Sequence, residues 1–364
     1  MLTRIYIDNF KGLVNFELKD LGAINLFLGE NGAGKSTVFE ALRFIKMLMT
    51  GESETHTEIR AYLTQPITKY EQIIKLDISS NEGIYTYEVT CKRSESTPAF
   101  LNEVLYFNQH LLMEVTNATA KIYGDDLLLN SSYSFRSIYS ILNTIPATEN
   151  NIRLTWFREQ IQRWIIIQPT PSRMYENSEK ADSFLDYDTH NFTSWYRYLC
   201  QDGEQEKAIT QNLIDYLPWF QGFEFISYGA SKVLFVNLPQ GQFRFDSLSD
   251  GQRVLIVLYT LMTVTRDQNY LLCLDEPENY LALPEIQPWL VQLEEHCEAH
   301  DIQALLISHH PELIDYLGTS SSHWFSYNTS EIEGIKVKRL PEHDPRGVSL
   351  SELIARGWLD DEAN

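Results

Sequence analysis

Basic side chains are in short supply. Lys and Arg number 29 against 50 Asp and Glu, a formal net charge of −21, and no basic run stands out along the 364 residues. Sequence-independent grip on duplex DNA rests on neutralising phosphates with Lys and Arg. Direct nucleic-acid binding by this chain alone is therefore disfavoured, and a local groove is the form of it left open. Cysteine is scarce too: Cys91, Cys200, Cys273 and Cys297 stand far apart with no C-x-x-C pair, which speaks against a zinc ribbon, a redox motif or a disulfide framework. His296 and His300 flank Cys297 at a spacing that could place both on one helical face as metal ligands. Beside Glu294, Glu295 and Glu298 they read more simply as a solvated polar face. Long apolar runs are missing as well. The longest, residues 254–264, is too short to span a bilayer, and residues 1–16 alternate like a strand with charges throughout rather than like a signal peptide. A soluble, cytoplasmic protein without a membrane partner is expected. Heptad repeats, internal repeats and low-complexity tracts are not evident.

What is present begins with Gly29-Glu30-Asn31-Gly32-Ala33-Gly34-Lys35-Ser36-Thr37, a full match to the phosphate-loop pattern G-x-x-x-x-G-K-[ST]. The preceding Ala23-Ile24-Asn25-Leu26-Phe27-Leu28 is short and apolar enough for a buried strand. The following residues 38–48 space their apolar side chains as a helix does. Strand, glycine loop, helix is the order this chemistry needs. Backbone N–H groups and the positive helix N-terminus wrap the α- and β-phosphates of a nucleotide, and glycine lets the backbone come close. Lys35 would reach the β- and γ-phosphates and Ser36 would ligate Mg²⁺. A glycine-rich turn with a chance lysine is the bland alternative, and the surroundings have to decide between them.

With 43% hydrophobic and 12% aromatic residues the chain can bury a sizeable core, and its length predicts two lobes. Residues 2–18 read as a hairpin turning through Asp8-Asn9-Phe10-Lys11-Gly12. After a polar stretch, residues 73–78, 84–91, 103–107 and 111–115 read as antiparallel strands. A helix around residues 156–164 leads into Ile165-Ile166-Ile167, a buried-strand candidate stopped by Gln168-Pro169. Residues 176–222 read as helical and are crowded with aromatics, which are expected to fill a core rather than form an exposed partner patch. Residues 233–236 and 242–245 form a hairpin pattern. Then comes Leu248-Ser249-Asp250-Gly251-Gln252-Arg253 ahead of an apolar helix, with Ser249 where an N-cap would stand. Leu271-Leu272-Cys273-Leu274-Asp275-Glu276-Pro277 is an apolar strand ending in two carboxylates, a poor place for them unless a cation or water needs them. Residues 304–307 repeat that pattern and end in Ser308-His309.

This order of motifs resembles the ATP-binding-cassette (ABC) ATPases, in particular the branch of SMC proteins, RecF and the OLD-type (overcoming-lysogenization-defect) ATPases of prokaryotic defence. Residues 29–37 match Walker A, and residues 248–252 are similar to the LSGGQ signature with Asp250 replacing its first glycine. Residues 271–276 are similar to Walker B, and Ser308-His309 to the switch histidine. The resemblance implies an α/β fold: a P-loop NTPase with an ABC-type ATPase head, a β-rich side lobe and an inserted helical lobe. It divides the chain into residues 1–170 (nucleotide-binding lobe I, with a β-rich subdomain at about 70–125), 171–245 (helical lobe) and 246–364 (lobe II, with signature, Walker B and switch histidine). It also implies ATP and Mg²⁺ as ligands, held by Asn31, Gly32, Gly34, Lys35, Ser36 and Thr37, with Ser36 and Asp275 on the metal. Glu276 and His309 are the implied catalytic residues. Ser249 and Gly251 would complete the site of a second subunit in an ATP-dependent homodimer or higher homo-oligomer. Gln168 fits the Q-loop position and a plain loop glutamine equally, and Asn9-Phe10-Lys11 fits both the N-F-[RK] of this branch and a hairpin turn. In Glu278-Asn279-Tyr280-Leu281-Ala282-Leu283-Pro284, Ala282 replaces the histidine of the OLD-type E-N-x-L-H-P. Too few residues follow His309 for the Toprim nuclease domain of OLD proteins. The expectation is a stand-alone ATPase controlling a separate effector protein, a nuclease or toxin, that docks on residues 176–222 or 350–364. A RecF-like clamp acting directly on DNA is the second expectation, and a transporter ATPase the least suited.

Overall fold

The computed structural model describes residues 1–51, 71–92, 100–137, 139–266, 269–299, 302–318, 321–327, 335–340 and 347–359. The chain divides into two compact units, Met1–Trp164 with Ser320–Glu342 and Ile165–Thr319 with His343–Asn364. In the first unit, β1 (Leu2–Asp8) and β2 (Phe16–Lys19) form the expected hairpin. The buried β3 (Ile24–Gly29) runs into the loop and α1 (Lys35–Thr50). β4 (Glu71–Ser79) buries every second residue, as a strand with one covered face must. β5 (Ile84–Lys92), β6 (Phe100–Phe107), β7 (His110–Thr116), β8 (Thr119–Tyr123) and β9 (Leu129–Ser134) follow. These strands make one antiparallel sheet in the order β2-β1-β4-β5-β6-β7-β8-β9, so the β-rich stretch continues the N-terminal hairpin through pairs such as Ile5↔Leu76 and Ile7↔Ile74. The polar strands β8 and β9 were not legible, because neither carries a strong apolar alternation. α2 (Ile152–Gln162) covers the sheet: Trp156 stacks on Tyr85 at 4.7 Å, and Phe157 lies 5.4 Å from Tyr87.

At β10 (Trp164–Ile167) the chain enters the second unit, followed by the short β11 (Asn177–Ser178), α3 (Phe192–Leu199) and α4 (Gly203–Tyr216). Of the stretch read as helical, only α3 and α4 are helices. Residues 222–228 are strand β12 (Gly222–Tyr228), paired to β13 (Ser231–Leu238), which also pairs β14 (Gly241–Arg244). The expectation that the aromatics of residues 176–222 fill a core holds in part: Phe192, Trp195, Tyr196 and Phe220 are buried, with Phe192 stacked on Phe245 at 5.2 Å and Tyr196 meeting Phe223 at 4.5 Å, whereas Tyr198 and Tyr216 are exposed. α5 (Asp250–Val264), β15 (Leu271–Asp275), α6 (Leu283–Ala299), β16 (Gln303–Ile307) and α7 (Pro311–Leu317) follow. β15 lies beside β10 and pairs in parallel with β16, from Leu271↔Gln303 to Asp275↔Ile307. All ten residues of these two paired strands are buried, so their apolar runs carry no alternation.

The chain then returns to the first unit as β17 (Ser321–Tyr327), parallel to β3, and β18 (Ile335–Arg339), antiparallel to β17. α8 (Leu350–Ala355) belongs to the second unit, where Asp315 accepts from the Ser351 backbone N–H at 2.8 Å. His296 is buried within α6, while His300 lies outside the described residues. Among the described residues no group of three or more His, Cys, Asp or Glu is placed to hold a metal ion. No described helix is long and apolar enough to cross a membrane.

Candidate functional site

In the first unit the glycine loop is built by its neighbours as well as by its own sequence. A Cβ at Gly29 would stand 2.2 Å from the Phe325 carbonyl oxygen, because β17 pairs there. Gly34, the residue before α1, has φ +85°, a conformation that costs a side chain energy. Having no side chain, Gly34 leaves the first turn of α1 without a side-chain cap. Such a helix start presents backbone N–H groups and a positive dipole end, which suit an anion. Lys35 is only 5% exposed, and its ammonium donates to the carbonyls of Gly29 (2.8 Å) and Glu30 (2.9 Å). Asn31 and Gly32 are exposed at the loop tip, while Ser36 and Thr37 are half-buried. Asn9 and Lys11 both have positive φ. Asn9 donates to the Glu71 carbonyl at 2.8 Å, and Lys11 pairs with Glu40 on α1.

The second unit brings Asp275, Glu276 and His309 to the ends of β15 and β16. Asp275 is 1% exposed and accepts a 2.8 Å hydrogen bond at Oδ2 from the Tyr187 hydroxyl. Glu276, just past the end of β15, has φ +49° and donates its N–H to the Ile307 carbonyl at 2.9 Å. Glu276 Oε1 lies 3.6 Å from His309 Nε2, and Oε2 accepts from Asn279 at 2.7 Å. Behind them, buried Glu278 accepts from the Ser308 hydroxyl (2.6 Å) and from the His309 N–H (3.3 Å), fixing the backbone that carries the histidine. Burial raises the Glu278 carboxyl above its ordinary pKa; the bonds from Ser308 and His309 oppose that rise and Glu276 adds to it. Sequence reasoning did not single out Tyr187 or Glu278 as site residues. Glu278 had a signal, as the first residue of the stretch similar to E-N-x-L-H-P. Tyr187 had none, because 88 positions separate it from Asp275.

Ser249 caps α5 in a full capping box: its hydroxyl accepts from the Gln252 N–H at 3.2 Å, and its own N–H donates to Gln252 Oε1 at 3.0 Å. Gly251 is required by space, since a Cβ there would stand 2.8 Å from the Tyr280 carbonyl oxygen. Gln168, half-buried at the end of β10, donates its N–H to the Tyr187 carbonyl at 2.6 Å. The donor types suit the expected ligands. A buried carboxylate and a serine hydroxyl are hard oxygen ligands of the kind Mg²⁺ takes, and the uncapped start of α1 with its buried lysine suits a polyphosphate.

A glycine loop between a buried strand and an uncapped helix, with a second buried strand ending in adjacent carboxylates, is the equipment of a P-loop NTPase with an ABC-type head. Residues 24–315 match the family described as "AAA domain, putative AbiEii toxin, Type IV TA system", and the chain belongs to it. Its fold is that of SMC head domains, a mixed α/β P-loop NTPase fold. A DNA replication and repair protein RecF of Shewanella sediminis is 29% identical over 83 residues, and one of Shewanella woodyi 33% identical over 70. The matched part spans 23% of this chain and 23% of the first relative, and 19% and 17% for the second. An SmcHead crystallised with the C-winged helix domain of ScpA superposes with a TM-score of 0.53 at 11% identity, covering 96% of this chain and 99% of the other. That likeness is one of fold.

Proposed function

We propose that this chain binds and hydrolyses ATP with Mg²⁺, dimerises on ATP, and through that cycle controls a separately encoded effector, a nuclease or toxin, in antiphage defence. The observation that carries the reading is the pairing of Glu276 with His309 at 3.6 Å beside the buried carboxylate of Asp275. Asn31, Gly32, Gly34 and Thr37 line the phosphate loop, where Lys35 and Ser36 hold the phosphates and Mg²⁺. Asp275 is the second metal residue, Glu276 takes the proton of the attacking water, and His309 meets the γ-phosphate. Ser249 and Gly251 complete the site of the other subunit, and Gln168 is the Q-loop residue. Such catalysis is mostly positioning and electrostatics, so assembly and chemistry are coupled. The toxin–antitoxin wording of the family description supports the defence setting. The RecF relatives favour a second reading, a clamp acting on DNA directly.

Glu276→Gln is expected to keep ATP binding and slow hydrolysis by about 10²–10⁴-fold, trapping an ATP-dependent dimer visible by sedimentation. Lys35→Ala is expected to lose binding as well. Wild-type turnover by Glu276→Gln protein would reject Glu276 as the base. Co-expression with the neighbouring gene under phage challenge tests the effector, and nuclease activity of the lone chain abolished by Asp275→Ala would replace that part of the proposal.

A further inference from the structure

Residues 186–191 form a loop braced on every side. His190 Nδ1 lies 2.6 Å from Asp188 Oδ1, Asp188 Oδ2 pairs with Arg173 at 2.5 Å, and His190 Nε2 lies 3.5 Å from Asp186. The Asp186 N–H donates to the Asn191 side-chain oxygen at 2.9 Å, and Asn191 donates in turn to the Phe184 carbonyl. Thr189 takes φ +60° at the tip. Two backbone bonds fasten the loop to the chain leaving β10: Gln168 N–H to the Tyr187 carbonyl (2.6 Å) and Thr170 N–H to the Asp188 carbonyl (3.2 Å). The Tyr187 hydroxyl thus arrives at Asp275 Oδ2 from a scaffold with little freedom.

We infer that Tyr187 is the positioning residue of the Asp275 carboxylate, holding it in the rotamer that takes Mg²⁺ in the ATP complex. The inference rests on the proposed metal role of Asp275. An ionised carboxylate has about four lone-pair sites. The Tyr187 hydroxyl at Oδ2 therefore orients the group while taking up one of those sites. Groups that orient a metal ligand from behind commonly govern metal affinity as strongly as they govern activity. A tyrosine fits this duty because its hydroxyl reaches far from a backbone anchored elsewhere. The same residue carries the carbonyl that holds Gln168, so the strand end at β10 and the carboxylate at β15 are positioned by one side chain and its own backbone.

The readout is the Kd of a fluorescent ATP analogue, taken in EDTA and in Mg²⁺, for wild type, Tyr187→Phe and Asp275→Asn. Tyr187→Phe is expected to reduce the gain in affinity that Mg²⁺ brings by about tenfold, towards the Asp275→Asn value, with the affinity in EDTA unchanged. Asp275→Asn losing the gain while Tyr187→Phe retains it would overturn the inference and leave the metal role of Asp275 standing. Asp275→Asn retaining the full gain would overturn that role, and the inference with it. Equal losses with and without Mg²⁺ in Tyr187→Phe would mark Tyr187 as merely structural. Should Tyr187→Phe not fold, Arg173→Met, which loosens the loop and keeps the hydroxyl, is read by the same ratio.

Discussion

Glu103, inward-facing on β6, shows how far a single residue can depart from what its letter suggests. It is fully buried, and its carboxylate accepts from the Tyr87 hydroxyl (3.2 Å), the Ser140 hydroxyl (2.6 Å) and the Ile141 N–H (3.3 Å). Burial pushes its pKa up to about 7 against these donors, and the neighbouring Cys91 thiol is raised as well, by burial first and by Glu103 second. The sign follows directly. Between about pH 4.5 and 7 the folded chain holds a proton that the unfolded chain has lost, so this contribution is fully present below about 4.5. It fades as pH rises through 7, by roughly 3 kcal/mol in all. Glu103→Gln keeps the shape and removes the titration; its melting temperature is expected to lack the decline that the wild type shows from pH 5 to 8, and parallel pH profiles would contradict this. Nothing in the sequence marks Glu103, which sits in a strand among Asn102 and Val104 and looks like a solvated residue. Its three donors come from β5 and from the segment ahead of α2.

At the scale of elements, α5 unites two duties at one terminus. Its capping box uses the Ser249 hydroxyl for local stability, and Ser249→Ala should cost about 1 kcal/mol whatever else the residue does. If that terminus also faces the partner's nucleotide, the two duties can be separated by charge. Asn and Asp cap helices about as well as Ser, but only Asp adds a negative charge beside a phosphate. In the Glu276→Gln background with ATP, Ser249→Asn is expected to sediment as a dimer and Ser249→Asp as a monomer. Equal dimerisation of the two would remove Ser249 from the interface. Ser249 at the N-cap position and the apolar run behind it made this helix legible. Strand β12 was not, because the stretch read as helical ends at residue 222 and nothing marked residues 223–228; there Phe223 and Phe225 pack against Tyr196.

For the whole molecule, charge makes opposite predictions for the two functional readings. Two copies at −21 each repel, and added salt screens that repulsion. ATP-dependent dimerisation should therefore strengthen, or form faster, between about 50 and 300 mM NaCl, across which the Debye length shortens from about 14 to about 6 Å. A DNA clamp would do the reverse, since its affinity falls steeply with salt as counterions return to the phosphates. Sedimentation and filter retention of labelled duplex across the same salt series distinguish them, and salt-sensitive duplex retention would favour the clamp.

The sequence alone determined the features that depend on neighbours along the chain. A glycine loop between an apolar strand and a helix, a helix cap three residues from its partner, and a strand ending in Asp275-Glu276 are local patterns whose physics is complete within about ten residues. The tertiary structure decided what has no local sign. It made the N-terminal hairpin and the strands after residue 70 into one sheet, and it placed β17 so close to Gly29 that no side chain fits there. It carried Tyr187 across 88 positions to Asp275 and left Glu103 ringed by donors instead of water. Such pairings follow from which surfaces bury one another when the chain closes, and burial is set by the whole fold rather than by any window of sequence.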